Sequence, residues 1–309
     1  MSNTDPSSPP VRLVARLVLR FMVASFAALA RWHDGDLVRG IVFLAAAQAS
    51  RPQHARLERP IRVYGLAASL LLPYETARRH VNGLTKAGLV VRLEDQTILV
   101  PEKVQREGDF ARYADTVHAE LIELLRGARA VGLDLETFSR TAPAPSEEPA
   151  VFESPDRAAR NLVLDFMLRL VECGLPAHEN DMLRALIFAA IMSANAGAYT
   201  DGPDKAWDYY SQDHRLPEQM RKPVSISEIS ARLGIPYETA RRYVRTMLAE
   251  KDIIKVPGKG LVNPTVGPRD ALLVTSGGLM MTRFVQLVGD LRRIGFDFTT
   301  LTMLARRAA

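Results

Sequence analysis

The nonapeptide PYETARRHV at Pro73–Val81 returns as PYETARRYV at Pro236–Val244, with His80 against Tyr243 as the one difference. A chain that repeats itself so closely has to build one local structure twice, and the repeat reaches well beyond these nine positions. LVLRFM at Leu17–Met22 answers LVLDFM at Leu162–Met167, and DLVRGIVFLAAAQA at Asp36–Ala49 answers DMLRALIFAAIMSA at Asp181–Ala194. Behind the nonapeptide, VGLDLETF at Val131–Phe138 answers IGFDFTTL at Ile294–Leu301. The front segments are offset by 145 residues and the later ones by 163, so the second copy carries 18 more residues between Ala194 and Val224 (163 less 145). Copies of this length exceed solenoid periods of roughly 20–50 residues and suffice for a small domain each. The division expected is a disordered tail at 1–10, a first repeat at 11–138, a Pro/Ser/Glu-rich linker at 139–155, and a second repeat at 156–309 with an insertion at 195–223.

Each copy reads as a long helix, a helix apolar on nearly all sides (Ile41–Ala47 and Leu186–Met192), a compact three-element motif, and another long helix. Asp36 and Asp181 are placed either to cap the second helix or to pair with Arg39 and Arg184. In the second motif, Ser225 or Ser227 caps a helix with Ile229 and Leu233 inward, Gly234 ends it, and Pro236 opens the next. The first motif has Leu66–Leu71, a turn at Leu72, and Pro73 in the same places. Two β-prone runs with a polar turn follow in each copy, at Leu89–Pro101 and Ile253–Pro264. Helix, short turn, helix and hairpin is the winged helix-turn-helix pattern. The fold class expected is therefore mainly α, with two tandem winged helix-turn-helix domains.

On a helical wheel Ala77, Val81 and Leu84 form a buried stripe, repeated by Ala240, Val244 and Met247. Glu75, Arg79, Asn82 and Lys86 lie opposite, flanked by Arg78 and Thr76; in the second copy Glu238, Arg242 and Arg245 are flanked by Arg241 and Thr239. Such a face suits a DNA major groove: Arg donates twice to guanine O6 and N7, and Glu accepts from cytosine N4. Tyr74, Tyr237 and the two threonines near the helix N-termini suit phosphate. On an isolated helix, Glu75–Arg79 and Glu238–Arg242 would be read as solubilising i, i+4 pairs contributing a few tenths of a kcal/mol. Here the polar face is kept almost letter for letter while the apolar face drifts from Leu84 to Met247, the opposite of what packing alone requires. The wings differ, Glu94 and Asp95 at the first tip against Lys255 and Lys259 in the second, so only the second is expected to attract phosphate.

The stretch Tyr-Glu-Thr-Ala-Arg-Arg resembles the Arg-Glu-Thr-Val-Ser-Arg recognition helix of the cyclic-AMP-receptor family of bacterial regulators. That resemblance implies base contacts by Glu75 and Arg79 and by Glu238 and Arg242, with Thr76 and Thr239 on phosphate. The family's first arginine is Tyr74 or Tyr237 here. The similarity spans roughly forty residues per copy. No glycine-rich β-roll precedes it, so no cyclic-nucleotide site is implied; MarR-like and GntR-like regulators are equally similar.

Composition sets the remaining bounds. Hydrophobic content of 47% and charged content of 24% describe a soluble globular chain, and a net charge of +5 is compatible with a polyanion. The lone Cys173 excludes an intramolecular disulfide and a Cys-rich zinc site, and fits a cytoplasmic protein with a buried, inert thiol. Val11–Ala30 is strongly apolar, but Arg12, Arg16 and Arg20 make it an amphipathic packing helix rather than a membrane span. The six histidines are scattered without metal-ligand spacing, and His80 is expected at a tolerant surface position. No catalytic residue, metal or cofactor is expected. The expected partner is double-stranded DNA, bound by a single-chain pseudo-dimer acting as a transcriptional regulator, with homodimerisation through the long helices as a further expectation. The alternatives are a plasmid-type replication initiator and a winged-helix module that binds protein. The aromatic insertion around Trp207, Tyr209 and Tyr210 reads as a cover over the core, an effector pocket or an oligomer contact.

Overall fold

The computed structural model describes residues 9–51, 60–142, 155–199, 203–211 and 215–302. Most of the expected tail and residues 143–154 of the expected linker lie outside these; Ser139–Thr141 end one helix and Pro155 begins the next. The chain is mainly helical with small antiparallel sheets. The first copy runs α1 (Val11–Trp32), α2 (Leu37–Ala49), β1 (Ile61–Arg62), α3 (Val63–Ser69), α4 (Tyr74–Lys86), β2 (Val91–Arg92), β3 (Thr97–Leu99), α5 (Glu102–Arg106), α6 (Gly108–Ala130) and α7 (Leu135–Thr141). The second runs α8 (Pro155–Gly174), α9 (Met182–Asn195), α10 (Pro203–Ala206), α11 (Ile226–Leu233), α12 (Tyr237–Ala249), β4 (Ile254–Val256), β5 (Gly260–Val262) and α13 (Asp270–Arg293). Strands β1 and β2 flank β3, whereas β4 and β5 form a plain hairpin that Val224 bridges at Leu261.

The helix starts follow from capping. Asp36 and Asp181 each accept from the amide three residues on, that of Arg39 or Arg184, and Ser225 accepts from Glu228. The connection into α2 and α9 is the same twice: His33 and His178 precede residues with positive φ (Asp34 54°, Gly35 83°; Glu179 56°, Asn180 61°). Both histidines are buried, and each packs on the equivalent phenylalanine, Phe43 or Phe188. Burial holds both imidazoles down at about 4.

One hydrophobic core runs through both copies, and its geometry discloses how they are related. Phe21 and Phe166 occupy equivalent positions, and their rings meet with centroids 5.7 Å apart. Helix α1 packs on its counterpart α8, and α2 on α9. Most unlike contacts come in exchanged pairs, α1 with α13 and α8 with α6, α1 with α9 and α8 with α2, whereas the packing of α1 on α11 has no equal between α8 and α3. The turn at Phe298–Thr302 packs on α6, as α7 packs on α13. Arg129 donates to the Phe298 carbonyl at 2.8 Å, and the equivalent Arg292 donates to Glu136 at 3.1 Å and Ser139 Oγ at 3.0 Å. Reciprocal contact, with like residues meeting on an axis, is what a twofold produces; a translated repeat would not bring Phe21 to Phe166. Helix α1, apolar and long enough to span a membrane by composition, is instead enclosed by this packing, and α13 passes the same test while half-exposed.

Between the first two helices of each motif the chain needs a left-handed residue. Gly234 supplies it with φ 65°, while in the first copy Leu71 does so with φ 52° and its side chain exposed. A left-handed leucine costs roughly 1–2 kcal/mol, partly offset by the entropy that glycine gives up. We expect Leu71→Gly to raise unfolding free energy by about 1 kcal/mol. Gly234→Leu, whose Cβ would stand 3.2 Å from the Ala27 carbonyl, should lower it by more; urea denaturation of both variants measures this.

The buried histidines set a pH dependence. Neutral in the fold until about pH 4, they accept protons near 6.5 once unfolded, so the unfolded chain binds more protons between those values. Stability should therefore fall as pH drops from about 6.5 to about 4, by up to about 1.4 kcal/mol per pH unit for each histidine. Denaturation midpoints for wild type and a His33→Gln/His178→Gln variant across this range should diverge; parallel curves would assign the slope to other groups.

Candidate nucleic-acid interface

Helices α4 and α12 are the repeated segment. Each begins after an extended proline, Pro73 (ψ 135°) or Pro236 (ψ 139°), with an acid in the first turn, Glu75 or Glu238, where the helix dipole favours it. Ala77, Val81 and Leu84 are buried as the wheel predicts, as are Ala240, Val244 and Met247. Position 80/243 departs from expectation. His80 is buried rather than a tolerant surface residue, and its Nδ1 lies 3.4 Å from Asp36. Tyr243 is half-buried and donates to the equivalent Asp181 at 3.3 Å. The two copies thus differ in letter but tie the helix to the same capping carboxylate. Burial works to raise the Asp36 carboxyl, but the hydrogen bonds with His80 and the Arg39 amide outweigh it and hold it below its ordinary value. Burial, then the neighbouring Asp181 carboxylate, push the Tyr243 hydroxyl up to about 12.

The outer faces match. Tyr74, Glu75, Arg78, Arg79, Asn82 and Lys86 are exposed on α4, and Tyr237, Glu238, Arg241, Arg242 and Arg245 on α12; Thr76 and Thr239 are half-buried at the helix starts. The i, i+4 pairings do not form. Glu75 instead accepts from Arg78, three residues on, at 2.7 Å, and Glu238 from Arg241 at 2.9 Å. The Arg78 guanidinium is correspondingly raised above its ordinary value by the hydrogen bond to Glu75. The first arginine of each pair therefore neutralises the glutamate, and the second is left to project. Among the described residues, Arg79 and Arg245 make no ion pair, and Arg242 lies over the Tyr243 ring with its guanidinium carbon 5.3 Å from the centroid.

The hairpins stand beside these helices. In the first, Asp95 accepts from the Thr97 amide at 3.1 Å and hydroxyl at 2.6 Å, so it shapes the tip, and these bonds hold its carboxyl below the ordinary value; Glu94 is exposed. Arg92 reaches from β2 to the Asn82 side chain at 3.0 Å, a residue the sequence reading passed over. Its counterpart is Lys255, and that of Asn82 is Arg245, so a neutral hydrogen-bonding partner in one copy becomes a second cation in the other. Lys255 and Lys259 are both exposed.

Behind α12 lies an ion-pair network absent from the equivalent positions of the first copy. Arg184 bonds Glu250 and Asp252, and Arg269 bonds Asp252 at 2.9 Å, Glu179 at 2.7 Å and Glu250 at 2.8 Å. Leu89 and Ala87 replace Asp252 and Glu250 in the first copy, where Arg39 turns to the Gly83 carbonyl at 3.4 Å. The end of α12 is thus pinned electrostatically and that of α4 by packing.

Each site therefore offers one glutamate already matched by an arginine, a projecting guanidinium, and flanking cations. That set can donate in pairs to a guanine edge or to phosphate oxygens. Among the described residues no cluster of His, Cys, Asp and Glu is arranged to hold a metal ion. Comparison with protein-family models, with curated proteins and with solved structures gave no match to this chain.

Proposed function

We propose that the chain is a sequence-specific DNA-binding transcriptional regulator acting as a covalent pseudo-dimer. Its two winged helix-turn-helix units are α3–α4 with β1–β3 and α11–α12 with β4–β5. The observation that carries this reading is the display, about a pseudo-twofold, of two near-identical basic helices that share the exposed residues Tyr74/Tyr237, Glu75/Glu238, Arg78/Arg241 and Arg79/Arg242. Dimeric helix-turn-helix proteins match their own twofold to a palindromic site, with half-sites about one turn of B-DNA apart. A pseudo-twofold chain accordingly reads an imperfect inverted repeat rather than a direct one. Tyr74, Thr76 and Arg78, with Tyr237, Thr239 and Arg241, serve the backbone; Glu75, Arg79 and Asn82, with Glu238, Arg242 and Arg245, face base edges.

Selection from randomised duplexes should return the inverted repeat, and a direct repeat or no enrichment would reject this arrangement. Arg79→Ala and Arg242→Ala should each cost about 1–3 kcal/mol and relax one half-site only. Equal loss on every sequence would make these arginines phosphate contacts. Lys259→Ala should lower the salt slope of binding by about one, whereas Gln96→Ala at the equivalent first-hairpin position should leave it unchanged.

A further inference from the structure

The two copies differ most in what fills the space between their long helices. In the first copy Trp32, Phe43, Phe110 and Tyr113 pack together, with Trp32 within 5.8 Å of both Phe110 and Tyr113, and the Tyr113 hydroxyl reaches Met167 Sδ at 3.4 Å. At the equivalent positions the second copy has Ala177 for Trp32, Leu273 for Phe110, Ser276 for Tyr113 and Gly277 for Ala114. The volume so vacated is present as a cavity of about 180 Å³ bounded by α1, α8, α9 and α13, with Leu273, Ser276, Gly277 and Met22 (the counterpart of Met167) in its wall. An apolar cavity near 150 Å³ accepts benzene, so this one holds a single ring with a short substituent.

One end of the cavity is cationic. Arg16, only 8% exposed, donates one bond to the Ala206 carbonyl and leaves its buried Nε without a partner. Arg221 is also buried and bonds only carbonyls, those of Leu216, Asn263 and Pro264. Arg12 and Arg215 also line the cavity, Arg215 paired with Asp270 at 2.6 Å. Burial, and then the mutual proximity of Arg12, lower the Arg16 guanidinium to about 10; Arg221 is lowered to the same value, by burial most of all. Arg16 and Arg221 bond only carbonyls, with Asp208 and Glu218 acting on them electrostatically, and a buried guanidinium so placed gains from an arriving anion.

We propose that this cavity is a binding site for a small aromatic carboxylate, its ring standing where Phe110 and Tyr113 stand in the first copy and its carboxylate on Arg16, with Arg221 adding charge. The binding is read without DNA, so it stands or falls separately from the regulator proposal.

Titrating the full chain with phenylacetate, 2-phenylethanol and phenethylamine by calorimetry and thermal shift tests it. Phenylacetate should bind at least tenfold more tightly than the alcohol, with the amine weakest. Arg16→Met should erase that preference. Leu273→Phe/Ser276→Tyr, which restores the residues of the filled copy, should abolish binding and raise the melting temperature, so its loss of binding is not a loss of folding. Equal affinity for acid and alcohol, undiminished binding in the refilled variant, or no binding of any probe at millimolar concentration would overturn the proposal.

Discussion

The contact of α1 with its own counterpart α8, centred on Phe21 and Phe166, is the constraint from which the rest of the molecule follows. Two amphipathic helices that met heterologously would leave one apolar face of each copy uncovered. Meeting about a twofold, each lends the same face to the other and receives the same in return. The exchange of α7 and the Phe298–Thr302 turn extends this reciprocity to the ends of the long helices, where Arg129 and Arg292 satisfy opposite carbonyl, carboxylate and hydroxyl acceptors. The spacing of α4 from α12 is consequently set by core packing, since α4 packs on α2 and α12 on α9.

Within that symmetric frame the copies have diverged in a consistent direction. The first copy is closed with aromatic rings and ends α4 with Leu89 among apolar neighbours. The second exchanges rings for space and apolar contact for the Arg184–Asp252–Arg269 network. Asp252 and Arg269 belong both to that network and to the cavity wall. The cavity wall and the end of α12 thus share charge pairs, whereas the equivalent place beside α4 is filled by apolar packing.

Much of this was legible in the sequence, and the exceptions have physical reasons. The caps at Asp36, Asp181 and Ser225 and the inward stripes of α4 and α12 were legible because capping and a 3.6-residue period are local properties. The pairing of Glu75 with Arg78 was not, since both i+3 and i+4 lie within reach and the choice is made by rotamers. His80 was misread because a substitution between copies looks like tolerance; only the position of Asp36 and Asp181 discloses that imidazole and phenol serve one purpose. Leu71 carries no letter-level sign of a left-handed backbone. The twofold itself is invisible in a repeat, which records that two units are alike and not the operator that relates them. The aromatic residues missing from the second copy were recoverable in principle, by carrying the 163-residue offset into α13, where too few letters match to draw attention.

Enclosure of α1 by α6, α8, α9, α11 and α13 also has a consequence for synthesis. Its apolar surface emerges from the ribosome before the helices that cover it, and one of these begins only at Asp270. At about 5–20 residues per second, the intervening chain of roughly 260 residues takes about 13–50 s to appear. Through that interval the first repeat exists without the surface that completes it, and the nascent chain must be kept from seeking another, whether in a neighbouring nascent copy or in any apolar partner. Fusing two subunits into one polypeptide removes the concentration dependence of pairing, and it replaces it with a waiting time.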